Sequence, residues 1–218
     1  MFDAFNTTVM KILIADDHTM VREGLKKILL EAFPFAEVHD ASDGADLMKK
    51  AIKGEWEIII SDVTMPGMTG IDVLKQLRSQ GIETPMLMLS MHAPEQYAVR
   101  SIKAGASGYL TKDNAPYELV TAVQQVLNGH RYITPQVADV LADSIETDKD
   151  KMPHELLSDR EFEVMKLIVE GKTVSEIAES LSLSVNTIST YRSRILEKMH
   201  LHSNSDLVKY AIEHKLEL

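Results

Sequence analysis

Residues 58–70 have the sequence IIISDVTMPGMTG, from which the fold of the surrounding domain can be predicted. Its three isoleucines follow one another without a polar residue, which is typical of a strand buried on both faces of a parallel sheet. Asp62 comes almost at once after them, and Pro66, Gly67 and Gly70 then force a loop. The sequence therefore predicts one carboxylate at the C-terminal end of a central strand. That edge is where open α/β sheets bind their ligands.

Three further apolar runs also end in polar side chains. These are Asp16 and Asp17 after residues 12–15, Ser90 after residues 86–89, and Lys112 just after Tyr109-Leu110. Three carboxylates suit a hard divalent cation such as Mg²⁺. A hydroxyl and an ammonium beside them would stabilise a phosphoryl group in transfer, with Asp62 as the nucleophile.

Each of these residues also has an ordinary structural interpretation. The acidic pair could cap a helix that begins at Thr19, Lys112 could be a surface lysine, and Ser90 a hydrogen-bonded hydroxyl. Their joint position at one edge of one sheet favours the functional interpretation. A metal-dependent phosphohydrolase is a rival hypothesis. It would need a second acid two residues after Asp62, and position 64 is threonine.

The order of apolar runs and helical periodicities predicts two domains. Strand and helix alternate five times, which predicts an α/β doubly wound, five-stranded parallel sheet with helices on both faces. We expect this domain to span residues 10–130, a linker with one helix to span residues 131–153, and an all-α domain to span residues 154–218. The segment ETDKDK, residues 146–151, alternates charge without an apolar anchor and indicates a solvated connection.

Composition narrows the classes of function. The chain of 218 residues has no cysteine, which excludes disulfides and thiolate metal sites. No apolar run approaches the roughly 18 residues of a membrane helix, so we expect a cytoplasmic protein without a membrane partner. The net charge is −10, and residues 154–218 carry eight basic against eleven acidic side chains. Any DNA binding must therefore use a local face.

Residues 10 to about 129 resemble the receiver domain of bacterial two-component response regulators, which has a CheY-like, flavodoxin-like fold. The resemblance is carried by the pair Asp16-Asp17, the run D-x-x-M-P-x-x-x-G from Asp62, Ser90, and KAGASGYLTK ending at Lys112. It implies that Asp62 accepts phosphate from a cognate sensor histidine kinase. It also implies no enzymatic turnover beyond self-phosphorylation from a phosphodonor and slow self-dephosphorylation.

The same resemblance assigns roles to the surrounding residues. It implies Mg²⁺ held by Asp16, Asp17, Asp62 and the backbone carbonyl of Thr64. Ser90 and Lys112 would bind the phosphoryl oxygens. Tyr109 would be the switch aromatic, which swings inward when Ser90 moves towards the phosphate.

The sequence of the C-terminal part predicts four helices, and the second and third of these predict a helix-turn-helix. Ser158 and Glu161 form a capping-box pattern at the first helix. Residues 157–214 resemble the LuxR-type helix-turn-helix in LSDREFEV, GKTVSEIA and LSLSVNTISTY. The order receiver, linker and LuxR-type module resembles the NarL/FixJ subfamily. It implies DNA contacts by residues of the second helix of the motif: Thr187, Ser189, Thr190, Arg192, Ser193 and Arg194.

These observations predict a two-component response regulator that binds double-stranded DNA, regulates transcription, and forms a homodimer on activation. The family often has lysine where this chain has Ser189, so the operator sequence cannot be transferred from relatives. A generic helical bundle remains the alternative for the C-terminal part. In that case the chain would be a phosphorylation-switched protein-interaction module that does not bind DNA.

Overall fold

In the computed structural model, which describes residues 9–146, 152–214 and 216, five strands alternate with five helices. The strands are β1 (Lys11–Ala15), β2 (Glu37–Ala41), β3 (Ile58–Asp62), β4 (Met86–Ser90) and β5 (Gly108–Thr111). The helices are α1 (Thr19–Ala32), α2 (Gly44–Lys53), α3 (Gly70–Ser79), α4 (Pro94–Lys103) and α5 (Ala115–Leu127). All strands pair in parallel in the order β2-β1-β3-β4-β5. The predicted doubly wound sheet is confirmed.

Successive side chains of the sheet point to opposite faces, and each face carries an apolar layer. Ile58 and Ile60 pack towards α1 and α5, whereas Ile59 packs towards α2, α3 and α4. All three isoleucines are completely buried. Each contributes about 1.5–3 kcal/mol relative to an exposed side chain. The run needs no polar residue because helices cover both faces of β3.

Gly70 holds the loop after β3 close to the end of that strand. Its backbone N–H donates to the carbonyl of Val63 at 2.9 Å. A Cβ at this position would lie 2.0 Å from the carbonyl oxygen of Asp62. Any larger residue would therefore push the loop away from the carboxylate.

The C-terminal part is helical throughout the residues that the structure describes. Its elements are α6 (Pro135–Glu146), a 3₁₀ turn (Pro153–Leu156), α7 (Asp159–Val169), α8 (Val174–Ser180), α9 (Val185–Lys198) and α10 (Asn204–Glu213). The predicted capping box of α7 is confirmed, because Ser158 accepts from the Glu161 N–H and the Glu161 carboxylate accepts from the Ser158 N–H. Residues 147–151, most of the predicted charged connection, lie outside the described residues.

Helix α7 contacts the sheet domain on one side and helices α8, α9 and α10 on the other. Tyr97 of α4 meets Phe162 of α7 edge to face, with ring centroids 5.7 Å apart. The apolar layer on the α2–α4 side of the sheet therefore continues into the C-terminal domain. Within the described residues, no helix is both long and apolar enough to cross a membrane.

Candidate phosphorylation site and DNA-binding helix

The structure brings together the side chains that the sequence predicts at the strand ends. Lys112 Nζ lies 2.7 Å from Asp62 Oδ2 and 2.7 Å from Asp16 Oδ2. Asp16, Asp62 and Ser90 are at most 2 % exposed. The five strands position this cluster because their C-terminal ends meet at one edge of the parallel sheet.

Burial and charge act in opposite directions on the titration of this cluster. Burial raises the pKa of Asp62 to about 6, although the ammonium of Lys112 favours the ionised carboxylate. Burial alone would lower the pKa of Lys112, but the carboxylates of Asp62 and Asp16 outweigh it and raise this pKa. Lys112 is therefore a fixed positive charge beside the predicted phosphoacceptor.

The acidic cluster fits a divalent cation. Carboxylate oxygens of Asp16, Asp17 and Asp62 and a ring nitrogen of His18 lie within 4.8 Å of one another. Asp17 Oδ1 is shielded from solvent and receives no hydrogen bond from the described residues. A cation that takes oxygen ligands at about 2.0–2.6 Å would satisfy such an oxygen. The Thr64 N–H donates to Asp62 Oδ1 at 3.3 Å, and the ligand role of the Thr64 carbonyl remains a prediction.

The acidic pair does not cap helix α1. The N-cap residue is His18, and its side chain makes no capping hydrogen bond. Its backbone N–H donates to Asp16 Oδ1 at 2.8 Å. Sequence reasoning missed His18, although its place directly after two acids was a signal that could have been used.

Ser90 and Tyr109 are both linked to the loop that follows β4. Ser90 Oγ accepts a hydrogen bond from the His92 N–H at 3.0 Å, and the Tyr109 hydroxyl donates to the His92 carbonyl at 3.0 Å. Tyr109 is completely buried. The Tyr109 ring already points inward in this structure, because it packs in the apolar layer between β5 and α4. The predicted inward swing therefore cannot begin from this conformation.

The polar side of α7 contacts the sheet domain, which the sequence did not predict. The Asp159 carboxylate pairs with Lys75 Nζ at 2.6 Å and with Arg100 Nη1 at 3.3 Å. Arg100 also donates to the carbonyls of Leu157 at 2.7 Å and His154 at 3.0 Å. These contacts join α3 and α4 to the start of the C-terminal domain through charge-assisted hydrogen bonds.

Two further contacts join α7 to the loops that flank Asp62. Arg160 donates to the carbonyl of Gly67 in the loop after β3 at 3.0 Å. Lys166 Nζ lies 2.7 Å from Gln96 Oε1 and 3.1 Å from His92 Nε2. Burial, followed by the charge of Lys166, lowers the pKa of His92 to about 4, so the ring that faces the Lys166 ammonium is neutral at pH 7. His92 thus lies in the interface between the domains.

The polar side of α9 is open to solvent. Ser189, Thr190, Ser193 and Arg194 are exposed, whereas Thr187 and Arg192 are partly covered. Arg192 Nε donates to Asn204 Oδ1 of α10 at 2.7 Å, which fixes its guanidinium at the edge of the helix. The hydroxyls of Thr190 and Ser193 donate to carbonyls of their own helix and keep their oxygens free to accept. Four of the six predicted DNA contacts are thus exposed and two are partly covered, and the role of all six remains a prediction.

Comparison with known proteins identifies both domains. Residues 12–124 match the response regulator receiver domain, and residues 155–211 match the bacterial regulatory proteins of the luxR family. The chain is 34% identical over 209 residues to the response regulator UvrY of Escherichia coli strain K12, covering 95% of this chain and 96% of UvrY. It is 33% identical over 214 residues to the oxygen regulatory protein NreC of Staphylococcus carnosus, covering 95% and 99% of the two chains.

Solved structures agree with this assignment. RcsB from Salmonella enterica serovar Typhimurium, solved bound to a promoter in the presence of phosphomimetic BeF₃⁻, aligns with a TM-score of 0.58 and 27% identity. The alignment covers 92% of this chain and 97% of RcsB. The parallel sheet followed by a helical C-terminal domain thus recurs in a solved relative. The chain belongs to the NarL/FixJ family of response regulators, in which a receiver domain precedes a LuxR-type helix-turn-helix DNA-binding domain.

Proposed function

We propose that this response regulator accepts a phosphoryl group on Asp62 from a sensor histidine kinase and thereby controls DNA binding by its C-terminal domain. The observation that supports this most is the position of Lys112, 2.7 Å from both Asp62 and Asp16 at the open edge of the sheet.

We also propose residues 10–130, 131–153 and 154–218 as the functional division of the chain. Because a phosphodonor kinase and DNA are both found in the cytoplasm, we propose that location.

The side chains at the strand ends suit transfer of a phosphoryl group. The Asp62 carboxylate attacks phosphorus as the bond to the kinase histidine breaks, which leaves an acyl phosphate on Asp62. Lys112 and Ser90 would then hold the phosphoryl oxygens. Asp16, Asp17, Asp62 and the Thr64 carbonyl would hold Mg²⁺, which supplies positive charge to those oxygens when it is bound. The only turnover expected is self-phosphorylation and slow self-dephosphorylation.

The hydrogen bonds around His92 offer a route from phosphate to α7. Ser90 accepts from the His92 N–H in this structure, and the Ser90 hydroxyl would turn away from it to reach a phosphoryl oxygen. The His92 ring also faces Lys166 of α7. Phosphorylation would therefore weaken the hold of the β4–α4 loop on α7. The released C-terminal domains could then pair as a homodimer on two DNA half-sites.

Phosphoryl uptake tests the first half of this proposal. Wild-type protein with Mg²⁺ and acetyl phosphate should gain one phosphoryl group in an intact-protein mass spectrum, and Asp62→Asn should gain none. Hydroxylamine should release the group, as expected for an acyl phosphate. A phosphoryl group that persists on Asp62→Asn would count against Asp62 as the acceptor.

Selection from sheared genomic DNA tests the second half. With a phosphodonor the wild-type chain should enrich particular fragments more strongly than Asp62→Asn does. Absence of DNA enrichment in every state would favour the alternative, a phosphorylation-switched protein-interaction module.

A further inference from the structure

His18 is held at the acidic cluster by its own backbone. Its N–H donates to Asp16 Oδ1 at 2.8 Å. Its ring Nδ1 lies 2.8 Å from Asp17 Oδ1 and 3.3 Å from Asp16 Oδ1. Although 65% of its side chain is exposed, the ring nitrogen therefore faces the carboxylates.

The oxygen nearest to this nitrogen lacks a hydrogen bond. Asp17 Oδ1 is shielded from solvent, and no described group donates to it in hydrogen-bond geometry although His18 Nδ1 lies 2.8 Å away. Buried oxygens without donors are uncommon in folded proteins and call for an explanation such as an ion. Here a ring nitrogen of His18 and carboxylate oxygens of Asp16, Asp17 and Asp62 lie within 4.8 Å of one another.

We infer that His18 supplies a nitrogen ligand to the cation of the phosphorylation site and makes that site favour Mn²⁺ and Co²⁺ over Mg²⁺. Mg²⁺ prefers oxygen ligands, whereas imidazole suits first-row transition cations, whose affinities rise along that series. The inference rests on the cation role proposed above for Asp16, Asp17 and Asp62. His18 would then set which cation accompanies phosphoryl uptake.

Cation affinities of the full-length chain test this inference without any activity measurement. Titration calorimetry would give the Mg²⁺ and Co²⁺ affinities, and the electron paramagnetic resonance signal of free Mn²⁺ would give the third. Loss of one direct ligand should weaken Mn²⁺ and Co²⁺ binding of His18→Ala by about tenfold or more. Mg²⁺ binding should change by less than about twofold, because Mg²⁺ accepts water in place of nitrogen.

A matched control is available within the same domain. His39 is also exposed and also lies near a carboxylate, with Nε2 3.8 Å from Glu37 Oε2, but it lies outside the acidic cluster. His39→Ala should leave all three affinities unchanged. A second variant, His18→Asn, keeps a polar side chain at the site and should also lose the preference for Mn²⁺ and Co²⁺.

The outcomes separate this inference from the proposed function. Equal changes for Mg²⁺ and Mn²⁺ in His18→Ala, or no change for either, would overturn the nitrogen ligand. If Asp62→Asn still lost Mg²⁺ binding, the proposed cation site would survive that result. A wild-type chain that binds none of the three cations would overturn both.

Discussion

Helices α7 and α9 belong to one small domain, and each carries a polar side, but the two sides have opposite surroundings. The charged residues Asp159, Arg160 and Lys166 of α7 are at most 6 % exposed, and each is bonded to the receiver domain. The polar residues of α9 face solvent and bond mainly to their own helix. The receiver therefore holds the DNA-binding domain by a scaffold helix and leaves the predicted reading helix open.

This difference indicates how the domain could be controlled. A receiver that covered α9 would block DNA directly. In this structure the receiver instead fixes where the domain lies, so control would act through its freedom to move and to pair with a second copy. Substitutions in either helix or its partners should therefore have different consequences for docking and for DNA binding.

The largest effect should come from Arg100→Met. This change removes three hydrogen bonds to the C-terminal domain and the guanidinium that lies 4.5 Å from the Phe162 ring centroid. At about 1 kcal/mol for each hydrogen bond, the ratio of molecules with a released C-terminal domain to molecules with a docked one should rise roughly 100-fold. Hydrogen exchange of α7 should then increase, and DNA binding without phosphodonor should become stronger.

Lys103→Met is the matched control for this change. Lys103 also lies on α4, and with Arg100 it lines a cleft between α4 and the start of the C-terminal domain, but no described group bonds to its ammonium. The variant loses one charge as Arg100→Met does and should leave α7 protected. Equal effects of the two variants would assign the change to charge and not to the contacts of Arg100.

The protonation of Asp62 in the acidic cluster should affect the stability of the fold. Burial raises its pKa from 3.8 in the unfolded chain to about 6 in the fold, so the native state binds the extra proton between these values. The free energy of unfolding of the cation-free protein should therefore fall as pH rises, by about 1.4 kcal/mol between pH 5 and pH 7 from this group.

Asp62→Asn should abolish that part of the pH dependence, as judged by urea unfolding of both proteins at the two pH values. Mg²⁺ affinity of the wild type should also fall as pH drops below about 6, because a proton competes for the carboxylate. Identical pH profiles of the two proteins would show that Asp62 titrates as an ordinary carboxyl.

On α9, Arg192→Ala should weaken binding to all DNA sequences by a similar factor. If Arg192 contacts a phosphate, the slope of log affinity against log salt should become smaller by about one. Lys209→Met is the control, because Lys209 is exposed on α10 and pairs only weakly with Glu213 at 3.8 Å. A slope unchanged in Arg192→Ala would remove this residue from the phosphate contacts.

The smallest change in stability should come from Lys166→Met. The Lys166 ammonium is buried, and burial lowers its pKa to about 8. Its bonds within the described residues go to the uncharged Gln96 and His92. Replacing such a buried charge by an apolar side chain of similar length is often neutral, so we expect a change under about 1 kcal/mol.

Coupling to phosphorylation should nevertheless change in Lys166→Met. If the His92–Lys166 contact carries the signal, BeF₃⁻ should no longer alter hydrogen exchange of α7 in this variant. Retention of the full response would show that another contact, such as the one between Arg160 and Gly67, carries it.

The features that local chemistry determines were predictable from the sequence. The Ile58–Ile60 run, the loop glycines and the polar residues after each apolar run predict β3, its neighbours and the cluster of Asp16, Asp62 and Lys112. The Ser158 capping box predicts where α7 begins. In each case the residues that carry the signal lie within a few positions of the feature they predict.

The contacts of α7 were not predictable in this way. Asp159 and Lys166 fit the solvated side of an amphipathic helix, and their partners Lys75 and Gln96 lie 84 and 70 positions away in the chain. The docked arrangement depends on tertiary packing between two domains, which cannot be inferred from the local periodicity of the sequence. The same kind of tertiary packing holds the Tyr109 side chain in its inward position.

The distance between the two domains would report directly whether phosphorylation releases α7 from the receiver. The chain has no cysteine, so Lys27→Cys on α1 with Glu179→Cys on α8 provides two unique sites for spin labels. BeF₃⁻ with Mg²⁺ should replace one narrow distance distribution by a longer or broader one, and the same pair in an Asp62→Asn background should not respond. A distribution that stays narrow and unchanged in the wild-type background while DNA binding increases would contradict control through release of α7.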